Sequence, residues 1–362
     1  MLVEVSSSAK QQLIPSVQTA LEPKVAVLLN ANARQVNDRT LRALTHVVSP
    51  EDLFVSRSEI DARRIAQTVV ERRYDTVFCG GGDGTFVTFA TEIIRQNKRS
   101  PMPRARIPRF GVLKLGTGNG LATFVHASPP RGHRFLEDVL RVRSGEARPR
   151  ALDLLLVEGK RTPFAGLGAD ARLLNDYAWI KSNLGRGPAR QLLNGGCGYF
   201  SAVALKTLPY FLTHSTSVEC EITNGSRSVA HRLGPSGSPV GEPIPPGGTI
   251  FAGKLMMAAA GTIPFYGFDF KIFPFAAKRA GMMHLRIGTE SPPRILANLP
   301  KLWRGRWFPK GILDFHAREV RIQFERPMPF QIGGDAEGSR DEVILELAPE
   351  AVEVMDFSQV VN

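Results

Sequence analysis

The stretch "DTVFCGGGDGTFVTFATEII", residues 75–94, joins an apolar run to a helical pattern through glycines and one acid. Asp75–Cys79 reads as a buried strand, and Phe86, Phe89, Ala90, Ile93 and Ile94 recur on one helical face, so a helix begins at the glycine turn. Gly80, Gly81, Gly82 and Gly84 lack a Cβ, which lets backbone N–H groups approach an anion. The helix start adds about half a positive charge, so the place suits phosphate. Asp83 is the odd member. A carboxylate beside phosphate is repelled unless it binds a metal, accepts a proton from an attacking hydroxyl, or caps the helix and faces away.

The flanking chain sets the fold class. From Lys24, apolar runs alternate with amphipathic helices: strands at 24–30, 52–56, 75–79 and 109–115, helices at 37–48, 58–73 and 85–96. That order predicts an α/β architecture with a parallel sheet, whose ligands sit beyond the carboxyl ends of the strands. A second glycine turn falls at such an end: "FGVLKLGTGNGLATF", residues 110–124, with Gly116, Thr117, Gly118, Asn119 and Gly120 opening another helix. Two such turns form a two-walled cleft that fits a nucleotide. Neither has the spacing of a P-loop or of GxGxxG after a first strand.

Beyond this domain the texture changes. Residues 131–150 hold six arginines against three acids and read as a basic connector, either a solvated linking helix or a phosphate or membrane-surface patch. Short β-like runs follow, "ALDLLLVEG", "SVECEIT", "SVAHRL", "TIFAGKLMMAAA", "FDFKIFPF", "MMHLRIG", "EVRIQFE" and "VILELA", which predict a second, mostly antiparallel β-rich domain. "GPSGSPVGEPIPPGG", residues 234–248, reads as a mobile loop. The expected organisation is a disordered or helical lead over 1–23, an α/β ATP-binding domain over 24–130, the connector over 131–150, a β-rich lipid-substrate domain over 151–345 and a tail over 346–362.

Composition sets the outer bounds. The chain of 362 residues is 43% hydrophobic, enough for two cores, and carries a formal net charge of +12. That charge favours phosphate-rich partners: nucleotides, an anionic membrane face or nucleic acid. Cys79, Cys197 and Cys220 show no metal-like pairing and suit a reducing cytoplasm. "FAGKLMMAAAGTIPFYGF", residues 251–268, is broken by Lys254 and Pro264, too short to span a bilayer. The opening residues lack a signal-peptide pattern, and the expectation is a cytoplasmic protein.

"GGGDGTF" followed by "GVLKLGTGNGLA" resembles the diacylglycerol kinase catalytic-domain family, which includes soluble bacterial lipid kinases and sphingosine and ceramide kinases. GGDGT alone is shared with NAD kinases; the later GTGN makes the lipid-kinase resemblance more specific. "PFQIGGDAEG", residues 329–338, resembles the family's Asp-Gly-Glu motif with Ala336 in place of the glycine. "ALDLLLVEGKRTPFAGLGADARL" resembles its strand into a G-x-G-x-D-A segment, matching Asp153 and Asp170. Three departures stand out: "NANAR" keeps Asn30 but lacks the family's Pro and Gly, Gly120 replaces an acid, and Ala280 and Gly281 replace an acidic pair near a structural metal site of some relatives.

The resemblance implies an NAD kinase/diacylglycerol kinase-like fold, an active site between the domains, and a tail packing back on the first domain. It implies ATP and Mg2+ as cofactors and transfer of the γ-phosphate to a lipid hydroxyl. Diacylglycerol is the default acceptor, with sphingosine or ceramide, an NAD kinase, and a catalytically silent nucleotide or lipid sensor as alternatives. Gly81, Gly82, Gly84, Thr85, Gly116, Thr117 and Asn119 are expected around the phosphates, with Asn30 and Ser58 on the nucleotide side. Asp335 is the expected base, Asp83 and Glu337 the expected metal side, although Asp83 and Asp335 can exchange roles. Asp170 is either a head-group ligand or a buried structural acid. "PRILANLPKLWRGRWFPKGILDF", residues 293–315, interleaves Arg294, Lys301, Arg304, Arg306 and Lys310 with Leu302, Trp303, Trp307 and Phe308, suiting a membrane interface or an ordinary buried helix. The expected partners are a lipid substrate and an anionic membrane surface reached by peripheral attachment; nucleic acid is not expected, and a homodimer is left open.

Overall fold

The structure, a computed structural model, describes residues 22–100, 106–168, 171, 217–225 and 228–358. Its first sheet opens with β1 (Val25–Asn30), β2 (Leu53–Ser56), β3 (Thr76–Gly81) and β4 (Arg109–Lys114), parallel in the order β2-β1-β3-β4. β1 is an unbroken apolar run because helices cover both faces; Ala26, Val27, Leu28 and Leu29 are completely buried. The helices start where short polar side chains satisfy free amides. Asn37 accepts from Thr40 N ahead of α1 (Asp38–Leu44), and Ser58 from Asp61 N ahead of α2 (Glu59–Arg72). α3 (Asp83–Arg99), α4 (Gly120–Phe124) and α5 (Phe135–Arg143) follow.

Two further strands complete this sheet. β5 (Arg148–Leu152) ends the basic connector, and β17 (Val352–Asp356) returns from the far end of the chain to lie between β4, which it joins in parallel, and β5, which it joins antiparallel. The run 151–159, expected as one strand of the second domain, is therefore divided. Leu152 stays in the first sheet and β6 (Leu155–Val157) enters the second. The break falls at Asp153, whose carboxylate leaves the ladder and accepts Gly281 N at 2.7 Å.

The second sheet is antiparallel throughout the described residues. Beyond β6 it comprises β7 (Lys160–Thr162), β8 (Phe164–Gly168), β9 (Val218–Asn224), β10 (His231–Leu233), β11 (Thr249–Leu255), β12 (Met257–Gly261), β13 (Met283–Gly288), β14 (Ile312–Ala317), β15 (Glu319–Ile332) and β16 (Asp335–Leu347). β15 holds β9 along its first half and β8 along its second, and its pairing with β16 shifts between Gln323 and Met328. Helices α6 (Pro292–Ala297) and α7 (Leu299–Trp303) follow β13.

Three expectations need correction here. "TIFAGKLMMAAA" is two strands, because β11 pairs with β9 whereas β12 sits between β8 and β13. "FDFKIFPF" is a loop: Phe268 and Asp269 take left-handed φ of 50° and 58°, which no strand tolerates, and its alternation reflects Phe273 and Phe275 packing inward. Residues 234–248 are pinned rather than mobile. Ala230 bridges Ile244, and the fully buried Asn224 donates to the carbonyls of Ser228, Ile244 and Pro245.

Each sheet has its own core, and the two interlock. Phe164, Ala259, Ile263, Tyr266 and Phe273 join the first core, while Val87 of α3 joins the second. α3 is thus apolar on two sides and forms the seam. The second sheet also encloses a charged triad, in which Asp314 accepts from His284 Nε2 at 2.8 Å and from Arg286 Nε and Nη2 at 2.7 and 3.0 Å. Burial pushes the His284 imidazole down to about 4, against the pull of Asp314.

Candidate active site

The two glycine turns touch. A Cβ at Gly116 would run into the Gly82 backbone, and a Cβ at Gly81 would run into the Thr85 side chain. Gly82 is different: a Cβ there would meet only Gly116 Cα, at 3.7 Å. The turns are therefore closed against each other and open on the Gly82 side. Asn119 shapes the second turn from a left-handed φ of 56°, its amide accepting Gly116 N at 3.1 Å and donating to Gly116 O at 2.9 Å. Thr117 lies half-buried in the same turn.

Asp83 is the brace between the turns. Its Oδ2 accepts Gly120 N and its Oδ1 accepts Leu121 N, both at 2.8 Å, so it caps α4 rather than its own helix. Burial pushes its carboxyl up to about 6; the two amides oppose that and the nearby Asp335 adds to it.

The late acidic motif arrives from the other sheet. Gly333 and Gly334, with φ of 60° and 89°, make the two-residue turn between β15 and β16, and Ile332 faces Asp335 across it. This hairpin lays the Asp335 carboxylate directly over Gly84, where a side chain would collide with it. Asp335 stays exposed at the rim, while the neighbouring α3 desolvates its carboxyl and, with the Glu337 charge, raises it above the ordinary range; Lys160 acts the other way. Glu337 shares that strand face and binds Lys160 Nζ at 2.5 Å. Arg340 ties the β6–β7 turn to the same hairpin, gripping Glu158 at 2.6 and 2.9 Å and Glu337 O at 3.0 Å.

The expected nucleotide side is partly assembled. Asn30 Nδ2 donates to Thr85 Oγ1 at 3.2 Å and its Oδ1 accepts Asn32 N at 2.9 Å, so Asn30 borders the first turn. Ser58 is exposed, its hydroxyl serving as the α2 cap. Asp170, Arg186 and Arg190 lie outside the described residues. Lys160, Tyr266 and Gln331 were not singled out from the sequence. Only the position of Gln331 two residues before the Gly-Gly pair, on the strand into the acidic hairpin, offered a signal.

No cluster of three or more His, Cys, Asp or Glu side chains forms a metal cage among the described residues. Asp335 and Glu337 still provide hard oxygen donors at the rim. Two carboxylates completed by phosphate and water suit magnesium, which is seldom held by an all-protein cage.

The family model of the diacylglycerol kinase catalytic domain matches residues 24–151. The match takes in both glycine turns, α5 and most of β5. The chain is also 30% identical over 104 residues to the "Probable lipid kinase YegS-like" of Klebsiella pneumoniae (strain 342), a match spanning 28% of this chain and 32% of that protein. The chain thus spans about a third of the length of that curated relative. Two structures from Bacillus anthracis str. Sterne, one of a candidate diacylglycerol kinase and one of a diacylglycerol kinase, align with TM-scores of 0.61 and 0.57 at 18% and 14% identity, each covering 94% of this chain and 99% of the other. The two structures share this chain's fold past residues 24–151 and into the β-rich sheet.

Proposed function

We propose that this protein transfers the γ-phosphate of ATP to a lipid hydroxyl, with diacylglycerol as the acceptor. The observation that carries the reading is the Asp335 carboxylate, brought from the second sheet to lie over Gly84 at the phosphate-binding end of α3. Phosphoryl transfer needs donors for the phosphate oxygens and an acceptor group for the hydroxyl proton, placed in line. The amides of the first turn and the start of α3 supply the donors. Asp335 takes the proton of the acceptor hydroxyl, a task its proton affinity, raised above that of an ordinary carboxylate by burial and by the Glu337 charge, favours. A magnesium ion bound with the nucleotide would offset phosphate charge. Because both Asp83 oxygens are engaged by α4 amides, Glu337 would be its ligand from this chain, and Asp83 keeps the second turn in place.

The test is transfer of labelled γ-phosphate to a panel of diacylglycerol, ceramide, sphingosine and NAD. Labelled diacylglycerol is expected, with turnover of Asp335→Asn lower by about a hundredfold or more while ATP affinity stays within about twofold. Labelled ceramide or sphingosine would reassign the acceptor, labelled NAD the family branch. ATP binding with no labelled product would favour a sensor.

The lipid is met at an anionic bilayer. Arg294, Lys301, Arg304, Arg306 and Lys310 are exposed around α6 and α7, beside half-buried Trp303 and Trp307. Among the described residues no helix is long and apolar enough to cross a membrane.

A further inference from the structure

We propose that Tyr266 and Gln331 are positioning residues that tie the second glycine turn to the Asp335 hairpin, so that both walls of the cleft and the acid move as one piece; this rests on the kinase reading. The chain of contacts is continuous. The segment Phe265–Asp269 clasps the second turn: Phe268 N donates to Gly118 O at 2.9 Å, Gly267 Cα lies beside Gly118, and a Cβ at Gly120 would stand 2.7 Å from Phe265 O. Thr123 Oγ1 reaches Asp269 Oδ1 at 3.0 Å and receives Lys114 Nζ at 3.1 Å, adding a side-chain link. The clasp carries two successive left-handed non-glycine residues, Phe268 and Asp269, a conformation that persists only when the surroundings enforce it.

From the clasp, Tyr266 reaches the hairpin by two routes. Its hydroxyl accepts from Gln331 Nε2, and Gln331 Oε1 accepts Gly334 N at 2.9 Å. Its ring stacks on Phe164 with centroids 4.5 Å apart, and Phe164 O accepts Gly333 N at 3.0 Å. Both amides of the hairpin turn are thus held by groups that touch Tyr266. Gln331 is completely buried, so its amide has no solvent alternative to this arrangement. Gly334 precedes Asp335 directly, and a turn amide lost at that point lets the carboxylate swing away from Gly84.

The experiment compares the full chain with Tyr266→Phe and Gln331→Met, each alone and combined with Asp335→Asn. Phosphoryl transfer to dispersed diacylglycerol is expected to lose about ten- to a hundredfold in kcat. KM for ATP and ATP affinity stay within about twofold, because the turns themselves are untouched. In the Asp335→Asn background the same substitutions should cost nothing further, since a positioning residue acts only through the group it positions. Losses that multiply in the double variants, or a fall in ATP affinity matching that in kcat, would overturn the proposal. Amide hydrogen exchange supplies a readout independent of turnover: residues 328–340 should exchange faster in Tyr266→Phe than in the wild type, with α3 unchanged. If the wild type phosphorylates none of the lipids, the kinase reading falls, and unchanged exchange at the hairpin would separately remove the positioning role. Should Gln331→Met fail to fold, Tyr266→Phe, which deletes a single hydroxyl, carries the test.

Discussion

Gly82 and Gly116 face each other, yet a methyl group has different consequences at the two positions. At Gly116 it would enter the Gly82 backbone, and neither turn can retreat because Asp83 holds the α4 amides behind it. Gly116→Ala is expected to cost about 2 kcal/mol of stability, the scale of a local overpacking defect. At Gly82 the φ of −96° suits any residue and the space is open, so Gly82→Ala should fold normally and weaken ATP binding about tenfold by standing where phosphate approaches the amides. Urea denaturation and titration with a fluorescent ATP analogue separate the two; equal losses of stability would show that the Gly82 side is packing surface. These turns were legible in the sequence because glycine is demanded by the backbone itself. The use of Asp83 was not, since its partners lie 37 and 38 residues away and only the fold brings them to its oxygens.

Elements show the same division. The alternation of strands and helices over residues 24–115 was readable because each apolar face has one period and one covering layer. β17 was not readable as a member of the first sheet, since its run Val352–Asp356 looks like any late strand, and "FDFKIFPF" mimicked a strand while bending around the second turn. β17 anchors the sheet through Phe357 as well, which stacks on Phe78 with centroids 6.4 Å apart and bonds Val125 O through its amide. Phe357→Ala should cost about 3 kcal/mol in denaturant unfolding despite its distance in sequence from the catalytic domain. A cost under about 1 kcal/mol would mean that β17 is an optional edge. In the segment 292–310, Trp303 stacks on Phe270 and Phe308 on Phe275, which ties the segment to the fold and leaves its cations outward. Trp303→Ala with Trp307→Ala is expected to reduce binding to phosphatidylglycerol vesicles about tenfold with little effect on neutral vesicles; unchanged binding would make both side chains packing residues only.

At the scale of the molecule, two of the buried titratable groups, Asp83 and His284, pull in opposite directions. Asp83, raised from 3.8 to about 6, holds a proton more readily folded than unfolded, so its contribution is complete below 3.8 and lost as pH rises through about 6. His284, lowered from 6.5 to about 4, sheds its proton more readily folded than unfolded, so its contribution is complete above 6.5 and lost as pH falls through about 4. Each shift corresponds to about 3 kcal/mol, and the slopes oppose each other between pH 4 and 6. They cancel only if the two sheets unfold together. The interlocked cores, with Val87 in one and Phe164 and Tyr266 in the other, and β17 returning to the first sheet, argue for a single transition. Relative to the wild type, Asp83→Asn should then gain stability as pH rises from 4 to 6, and His284→Gln should lose it. Far-UV dichroism weighted to the helices of the first domain and Trp303 and Trp307 emission from the second, in a Trp179→Phe background, should give one midpoint at every pH. If the midpoints separate, with the first domain holding better at pH 4 and the second at pH 6, the domains are independent folding units, and the hairpin that presents Asp335 to Gly84 is carried by a body free to move.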